Sequence, residues 1–325
     1  MKLPTKLIRT KQILTIIFHI VFGASDGNWT RISSLGSWHT TTVLHSLSTS
    51  YFWSHLGDSN PRPPLYESGA LASWAKVAFA KSEYNKVVWA AVKYKRVLLK
   101  LSGEQFAGNN SFGIDSDFIN DLARAIKAIA SLGVQVVVIV GGGNFARGRD
   151  LKVKGLHPTT GHYMGMTATV INSLALTDVL ESVGQPAHLQ SSLAVEKAAE
   201  AFAERSALKH LKSGEVLVIA GGTGSPYVTT DTGAVSYALR LGCEVVLKAT
   251  KVDGVYDKDP TEHKDAKKYE SLTHVQTLQN PDINVMDNAA TALAMDHKLP
   301  IIVFKLSREN LKKAVQGQSV GTKVT

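Results

Sequence analysis

The sequence predicts an α/β protein, a three-layer αβα sandwich with a mainly parallel central sheet. Two observations predict it. Short apolar runs rich in Val, Ile and Leu alternate with longer segments whose apolar residues recur every three or four positions. That rhythm builds a parallel sheet covered by helices on both faces. In addition, glycine-rich turns close several of the apolar runs, at the strand carboxyl ends where such sheets gather ligands.

The elements follow in order from residue 94. RVLLKL at 96–101 reads as a strand carrying Lys100 near its end, followed by Ser102, Gly103 and Glu104. Asp115 is a good N-cap for a helix with Phe118, Ile119, Leu122, Ile126, Ile129 and Leu132 at helical spacing, closed by Gly133. VQVVVIV at 134–140 is an apolar run of the kind buried on both faces of a sheet. A helical region is predicted over 159–183, a strand over 187–190, a helix over 192–211 and a strand over 215–220. Thr230 and Asp231 open a helix running to Leu241. A strand at 244–249, a helix at 285–297, a strand at 300–306 and a last helix N-capped by Ser307 complete the alternation.

Four of the predicted strand ends carry KLSG (100–103), GGGN (141–144), GGTG (221–224) and KATK (248–251). Adjacent glycines remove every Cβ where the backbone turns, so main-chain N–H groups can approach an anion, and lysines add positive charge. A glycine triplet alone reads equally as a tight ligand-free turn; four such ends along one sheet edge suit a polyphosphate. No GxxxxGK[ST] loop occurs and no GxGxxG follows a strand, so neither a P-loop NTPase nor a dinucleotide dehydrogenase is supported.

Residues 1–92 differ from the remainder. They hold all five tryptophans and a Ser/Thr-rich run, with no sustained helical or strand period. Lys2, Lys6, Arg9 and Lys11 before an apolar run at 13–22 look superficially like a secretory signal, but the run is too short for a membrane span. The string LGDSNPRPPLYESGAL at 56–71 resembles the conceptual translation of a transfer RNA gene. The reading preferred is a start placed too far upstream, with Val92 as the candidate true start; a real extension and a targeting segment are the alternatives. The formal charge of +9 divides into +5 over residues 1–92 and +4 over the rest, and no basic stripe interleaved with aromatics stands out, so no nucleic-acid partner is expected. One cysteine, Cys243, fits a reducing cytoplasm and reads as a buried, inert thiol. The histidines show no metal-ligand spacing, so no structural metal is expected. Met164, Met166, Met286 and Met295 are expected in the core.

With KLSGE, VGGGN, MGMTATVIN, GTGSPYVTTD, KATKVDGVYDKDP, VMDNAA and DHKLPIIVF in this order, residues 94–325 resemble bacterial uridylate kinases of the amino acid kinase superfamily. The resemblance implies that Lys100, Leu101, Ser102 and Gly103 bind ATP, with Lys100 on the transferring phosphoryl group. Gly143 and Arg147 would face the ATP side, and Thr250, Tyr256 and Asp259 the adenine nucleotide. Gly142 and His162 would meet UMP, and Thr223, Gly224, Ser225, Pro226, Tyr227, Val228, Thr229 and Thr230 would wrap its phosphate and base. Asp231 would orient Lys100 or another lysine, Lys248 and Lys251 being unranked, and Asp287 would be an acidic catalytic position near the nucleotide. Gly108, Asn109, Asn110, Ser111, Phe112 and Gly113 match the segment through which GTP activates bacterial members. ATP with Mg²⁺, UMP, activation by GTP, inhibition by UTP and a homohexamer are the implied partners.

Two positions depart from the family pattern. His162 stands where the family has an aspartate on the ribose hydroxyls, and Ser225 where it has asparagine. Imidazole can make one hydrogen bond there but cannot serve as a bidentate anionic acceptor. Superfamily kinases of carboxylates and carbamate lack the GTGxPxxTTD loop. The remaining alternatives are a nucleotide-dependent storage protein and a DNA-bound regulator, the latter with affinity that falls steeply with salt.

Overall fold

The structure, a computed structural model, describes residues 92–145, 154–258, 260, 262–281, 283 and 285–325. The atypical segment at 1–92 lies outside the described residues except for Val92, as do Arg147 and Asp259. The elements are β1 (Arg96–Leu101), α1 (Gly103–Phe106), α2 (Ser116–Ala130), β2 (Gln135–Val140), α3 (Pro158–Ser182), β3 (Ala187–Ser191), β4 (Glu200–Ala201), α4 (Glu204–Lys212), β5 (Val216–Ala220) and α5 (Thr230–Arg240). The chain continues with β6 (Val245–Thr250), β7 (Val255–Tyr256), β8 (Lys268–Tyr269), β9 (Ser271–Leu272), α6 (His274–Gln279), α7 (Asn288–Asp296), β10 (Ile301–Lys305), α8 (Arg308–Val315) and β11 (Thr322–Val324).

Among the described residues nine strands form one sheet in the order β4-β3-β5-β2-β1-β6-β10-β11-β9, and β7 pairs with β8 separately. Pairing is parallel throughout the sheet except between β10 and β11. The alternation of side chains along β1 divides the core. Val97, Leu99 and Leu101 pack with α2, α3 and α8 on one face, while Leu98 packs with α4, α5 and α7 on the other. Burial on both faces explains why β1, β2 and β5 read as unbroken apolar runs. Each fully buried Leu or Ile contributes about 1.5–3 kcal/mol. Among the described residues no helix is long and apolar enough to cross a membrane.

Side-chain caps set several boundaries. Asp115 accepts a 2.8 Å bond from Phe118 N, and Ser307 a 3.0 Å bond from Asn310 N, as their sequence positions predict. The helix predicted to open at Thr230 is capped one residue earlier by Thr229, whose hydroxyl accepts from Asp231 N and Thr232 N. The helix predicted over 285–297 starts only at Asn288, because Asp287 is extended and its carboxylate caps Ala290 N. The helix predicted over 192–211 is broken. Glu200 and Ala201 pair with Gln190 and Ser191 as an edge strand, and α4 begins after them. Backbone pairing with β3 overrides the helical period there. Met166 and Met286 are buried as expected, but Met164 is 42% exposed. Cys243 is buried, and burial pushes its thiol up to about 12, which keeps it protonated and inert.

Candidate active site

β5, β2, β1 and β6 are consecutive neighbours and mutually parallel. Their carboxyl ends therefore bring the four glycine and lysine segments to one edge. The chain crosses from β5 to β6 past β1 and β2, so the edge is also where the connections change direction, the usual ligand crevice of such sheets.

The loops after β1 and β2 touch backbone to backbone. A Cβ added at Gly103 would stand 2.5 Å from both Gly141 O and Gly143 N. One added at Gly142 would meet Gly165 O at 2.6 Å and Ala168 Cβ at 2.7 Å, on α3. Glycine is therefore required by close approach at both positions. Gly103→Ala is expected to lower stability by about 1–3 kcal/mol through overpacking against rigid backbone. Chemical denaturation of the two proteins checks it, and equal midpoints would remove this account of the junction.

Two asparagines hold the second loop. Asn172, buried within α3, donates to Gly141 O at 2.8 Å and to Asn144 Oδ1 at 2.7 Å. Asn144 donates to Asn172 Oδ1 at 2.9 Å and to Gly113 O at 2.8 Å. The amide pair fixes the loop from below and ties it to the 108–113 turn, where exposed Phe112 meets Phe145 edge to face at 5.2 Å. Sequence reading missed this clamp; its signal is an asparagine inside an apolar helix, since a buried amide requires partners. Thr169 does the same for the β5 loop, accepting from Gly221 N at 2.8 Å.

The charged centre lies on the α5 face of β1 and β6. Lys100 and Lys248 are directly paired in register across these strands, and both reach Asp231 in the first turn of α5. Lys100 Nζ stands 2.5 Å from Asp231 Oδ1, and Lys248 Nζ 3.0 Å from Oδ2. Lys248 also donates to Val285 O at 2.5 Å. Burial works to raise the Asp231 carboxyl, and the two lysine charges outweigh it, holding it below the ordinary carboxylate range. For Lys248, burial dominates, and its ammonium is held below the usual lysine value despite Asp231. The helix N-terminus adds a further field favouring the carboxylate. Two buried cations thus share one anion, leaving positive charge directed to the sheet edge. Lys251 is exposed and outside this cluster, which separates the two lysines that spacing could not rank.

Asp287 has a different place. Its carboxylate accepts from Thr229, from Thr232 at 2.9 and 3.0 Å, and from Ala290 N at 2.8 Å. It locks the start of α5 to the start of α7, and so positions Asp231 through the helix.

The other predicted residues spread around this centre. Leu101 is buried, its carbonyl accepting from Gly141 N at 2.9 Å, and Ser102 makes no side-chain cap to α1. Thr223 Oγ1 accepts from Ser225 N at 3.3 Å in a local turn, and the segment at 225–229 is largely exposed. Tyr227 takes a positive φ of 66° and is 66% exposed. Its ring lies 4.5 Å from that of His162, and its hydroxyl is 3.2 Å from Thr159 Oγ1. His162 thus joins the loop after β5, from which it is distant in sequence. Thr250 donates to Val252 O at 2.7 Å. Tyr256, in the β7/β8 pair, donates to Asp253 at 2.5 Å; that bond raises the phenol and, with Lys268, lowers the carboxyl.

The comparisons with known proteins give the family. The amino acid kinase family model matches residues 95–305. A UMP kinase from Bacillus anthracis is 34% identical, with a TM-score of 0.69, over 71% of this chain and 96% of its own. A UMP kinase from Ureaplasma parvum is 31% identical, with a TM-score of 0.67, over 72% and 99%. A uridylate kinase from Archaeoglobus fulgidus is 30% identical, with a TM-score of 0.56, over 70% and 99%. With its nine-stranded sheet, its glycine junction and these relatives, the chain belongs to the amino acid kinase family.

Proposed function

We propose that this chain transfers the γ-phosphoryl group of MgATP to UMP, giving ADP and UDP for pyrimidine nucleotide synthesis. The observation that carries the reading is Asp231 held between Lys100 and Lys248 beneath the Gly103 and Gly141 to Gly143 junction. The similarity to UMP kinases at 30–34% identity supports UMP as the acceptor.

The transfer needs little covalent help. A phosphate monoester has its second pKa at about 6, so near neutral pH the acceptor oxygen is already mostly deprotonated and no general base is required. In the MgATP substrate the cation neutralises phosphate oxygens; the remaining work is positioning and charge. Lys100 approaches the phosphoryl group in flight, the backbone N–H groups of Gly142 and Gly143 face the phosphates while that of Gly141 holds Leu101 O, and Asp231 keeps both ammonium groups aimed. Asp287 and the Asn144–Asn172 pair are positioning groups. On the acceptor side the 223–230 loop wraps UMP, with His162 and Tyr227 at its rim. Activation by GTP through residues 108–113, inhibition by UTP and a hexameric assembly belong to the same proposal. The Asn144 link from that turn to the glycine loop gives such regulation a physical route.

Acceptor choice tests the reading. In a coupled assay of ADP release, UMP is expected to support turnover, with CMP and acetylglutamate far slower. Because His162 lacks a second acceptor atom for the ribose diol, dUMP is expected within about tenfold of UMP, the effect of one modest hydrogen bond. No turnover with UMP in protein that binds ATP would overturn the proposal in favour of storage or regulation.

A further inference from the structure

A second cluster lies at the opposite end of β5, about 20 Å along the strand from its glycine loop at ~3.3 Å per residue. The sequence gives no metal-ligand spacing, yet the fold brings together His188 from β3, Glu200 from β4, His210 from the last turn of α4 and Glu215 just before β5. The two imidazoles are stacked, with centroids 3.5 Å apart and planes 8° from parallel. His188 Nε2 lies 2.6 Å from Glu200 Oε2 and His210 Nε2 lies 3.8 Å from the same atom. On the other side, His210 Nδ1 is 2.9 Å and His188 Nδ1 4.0 Å from Glu215 Oε2.

This arrangement sorts the nitrogens. A neutral imidazole has one N–H and one lone pair. In the metal-free protein His188 Nε2–H can donate to Glu200 and His210 Nδ1–H to Glu215; with the His210 proton moved to Nε2, both Nδ1 lone pairs face the Glu215 carboxylate. Three electron-pair donors then face one point with no donor hydrogen among them. Protonating both rings instead would place two positive charges in direct stacking contact. A divalent cation meets the same demand with one charge centre.

We infer that His188 Nδ1, His210 Nδ1 and Glu215 form a binding site for a zinc-class divalent cation, with Glu200 as the outer carboxylate that orients both rings. The ligand atoms of these three residues all lie within 4.8 Å of one another. Ligand bonds of about 2.0–2.2 Å require the rings to splay from their parallel stack. The rings and Glu215 are 22–29% exposed, so water can take the fourth position. Two imidazoles and a carboxylate suit zinc better than the oxygen-seeking calcium or magnesium. A carboxylate behind a ligating histidine is the usual second layer of zinc sites. The site would clasp β3, β4, α4 and β5 together at the sheet margin, so its role is structural and separate from phosphoryl transfer.

Calorimetric titration of chelator-treated, untagged full-length protein with ZnCl₂ tests the inference, with Co²⁺ absorption as a second readout. One saturable equivalent of Zn²⁺ is expected, with a visible Co²⁺ band that Zn²⁺ displaces and a raised melting temperature. His188→Ala and His210→Ala should each weaken binding by more than the roughly 10- to 100-fold attributed to outer partners, and Glu200→Gln by about that amount. Turnover with UMP should be unchanged in all three. Absence of saturable binding to the wild type, or undiminished affinity in the double histidine variant, would overturn the site. Should the alanine variants fail to fold, the near-isosteric Glu215→Gln carries the same test, and unchanged Zn²⁺ affinity there would reject it.

Discussion

Asp231→Asn is expected to reduce kcat by roughly 100- to 1,000-fold and to destabilise the fold by about 3 kcal/mol. The amide keeps the shape of the carboxylate but removes the only anion within ion-pairing distance of both Lys100 and Lys248 among the described residues. Two buried ammonium groups are then left side by side, and breaking a buried pair by deleting one partner is costly for that reason. The pH dependence has a definite sign. Because the folded Asp231 carboxyl titrates below its ordinary value, its stabilisation is complete above the ordinary carboxylate range and disappears as pH falls through the lowered value. Lys248 is depressed by burial, so its charged form opposes folding, and that penalty is relieved as pH rises through its own lowered value. The stability gap between wild type and Asp231→Asn should therefore narrow at both extremes. A second change, Lys248→Met in the Asp231→Asn background, should recover much of the stability and none of the rate. Denaturant midpoints measured from acid to alkaline pH check this, and a gap that stays constant would contradict the charge account.

Lys100→Met should separate rate from stability. Asp231 retains Lys248 at 3.0 Å, so no unpaired buried charge is created, and a methionine fills nearly the same volume. Stability is expected to fall by less than in Asp231→Asn, because Asp231 loses its nearer cation but keeps Lys248 as a partner. Turnover is expected to fall at least about 100-fold, because the lost charge acts on the phosphoryl group in the transition state. Steady-state kinetics should place the loss in kcat, with KM for MgATP changing much less. A variant retaining half the wild-type kcat would remove Lys100 from the transfer step.

Much of this edge is legible in the sequence because its causes are local. Strands β1, β2 and β5 announce themselves as apolar runs, and Asp115 and Ser307 cap their helices through side-chain bonds formed within three residues. The glycines of the junction are legible only together with the other strand ends, since a triplet alone reads equally as a ligand-free turn. What escaped depends on pairing between distant residues. Glu200 and Ala201 join β3 instead of continuing a helix, and β11 pairs with β10 across the intervening helix α8 in a register no local period encodes. Lys248 and Lys251 look equivalent in the string KATK, and only the facing of Lys248 to Lys100 across β1 and β6 distinguishes them. Asp287 reads as a site acid, and the structure shows its oxygens bonded to Thr229, Thr232 and the backbone that opens α7, partners the local sequence does not reveal. The pair His188 and His210, brought together by β3 and α4, leaves no spacing signature at all.

Phosphoryl transfer to UMP is tested most directly by ³¹P spectroscopy of the wild-type protein with MgATP and UMP. The expected result is loss of the ATP β-phosphorus signal with matched growth of ADP and UDP diphosphate signals, and no accumulation of orthophosphate. ATP that remains intact, or that yields only ADP and orthophosphate while UMP is unchanged, would contradict the assignment of UMP as the acceptor.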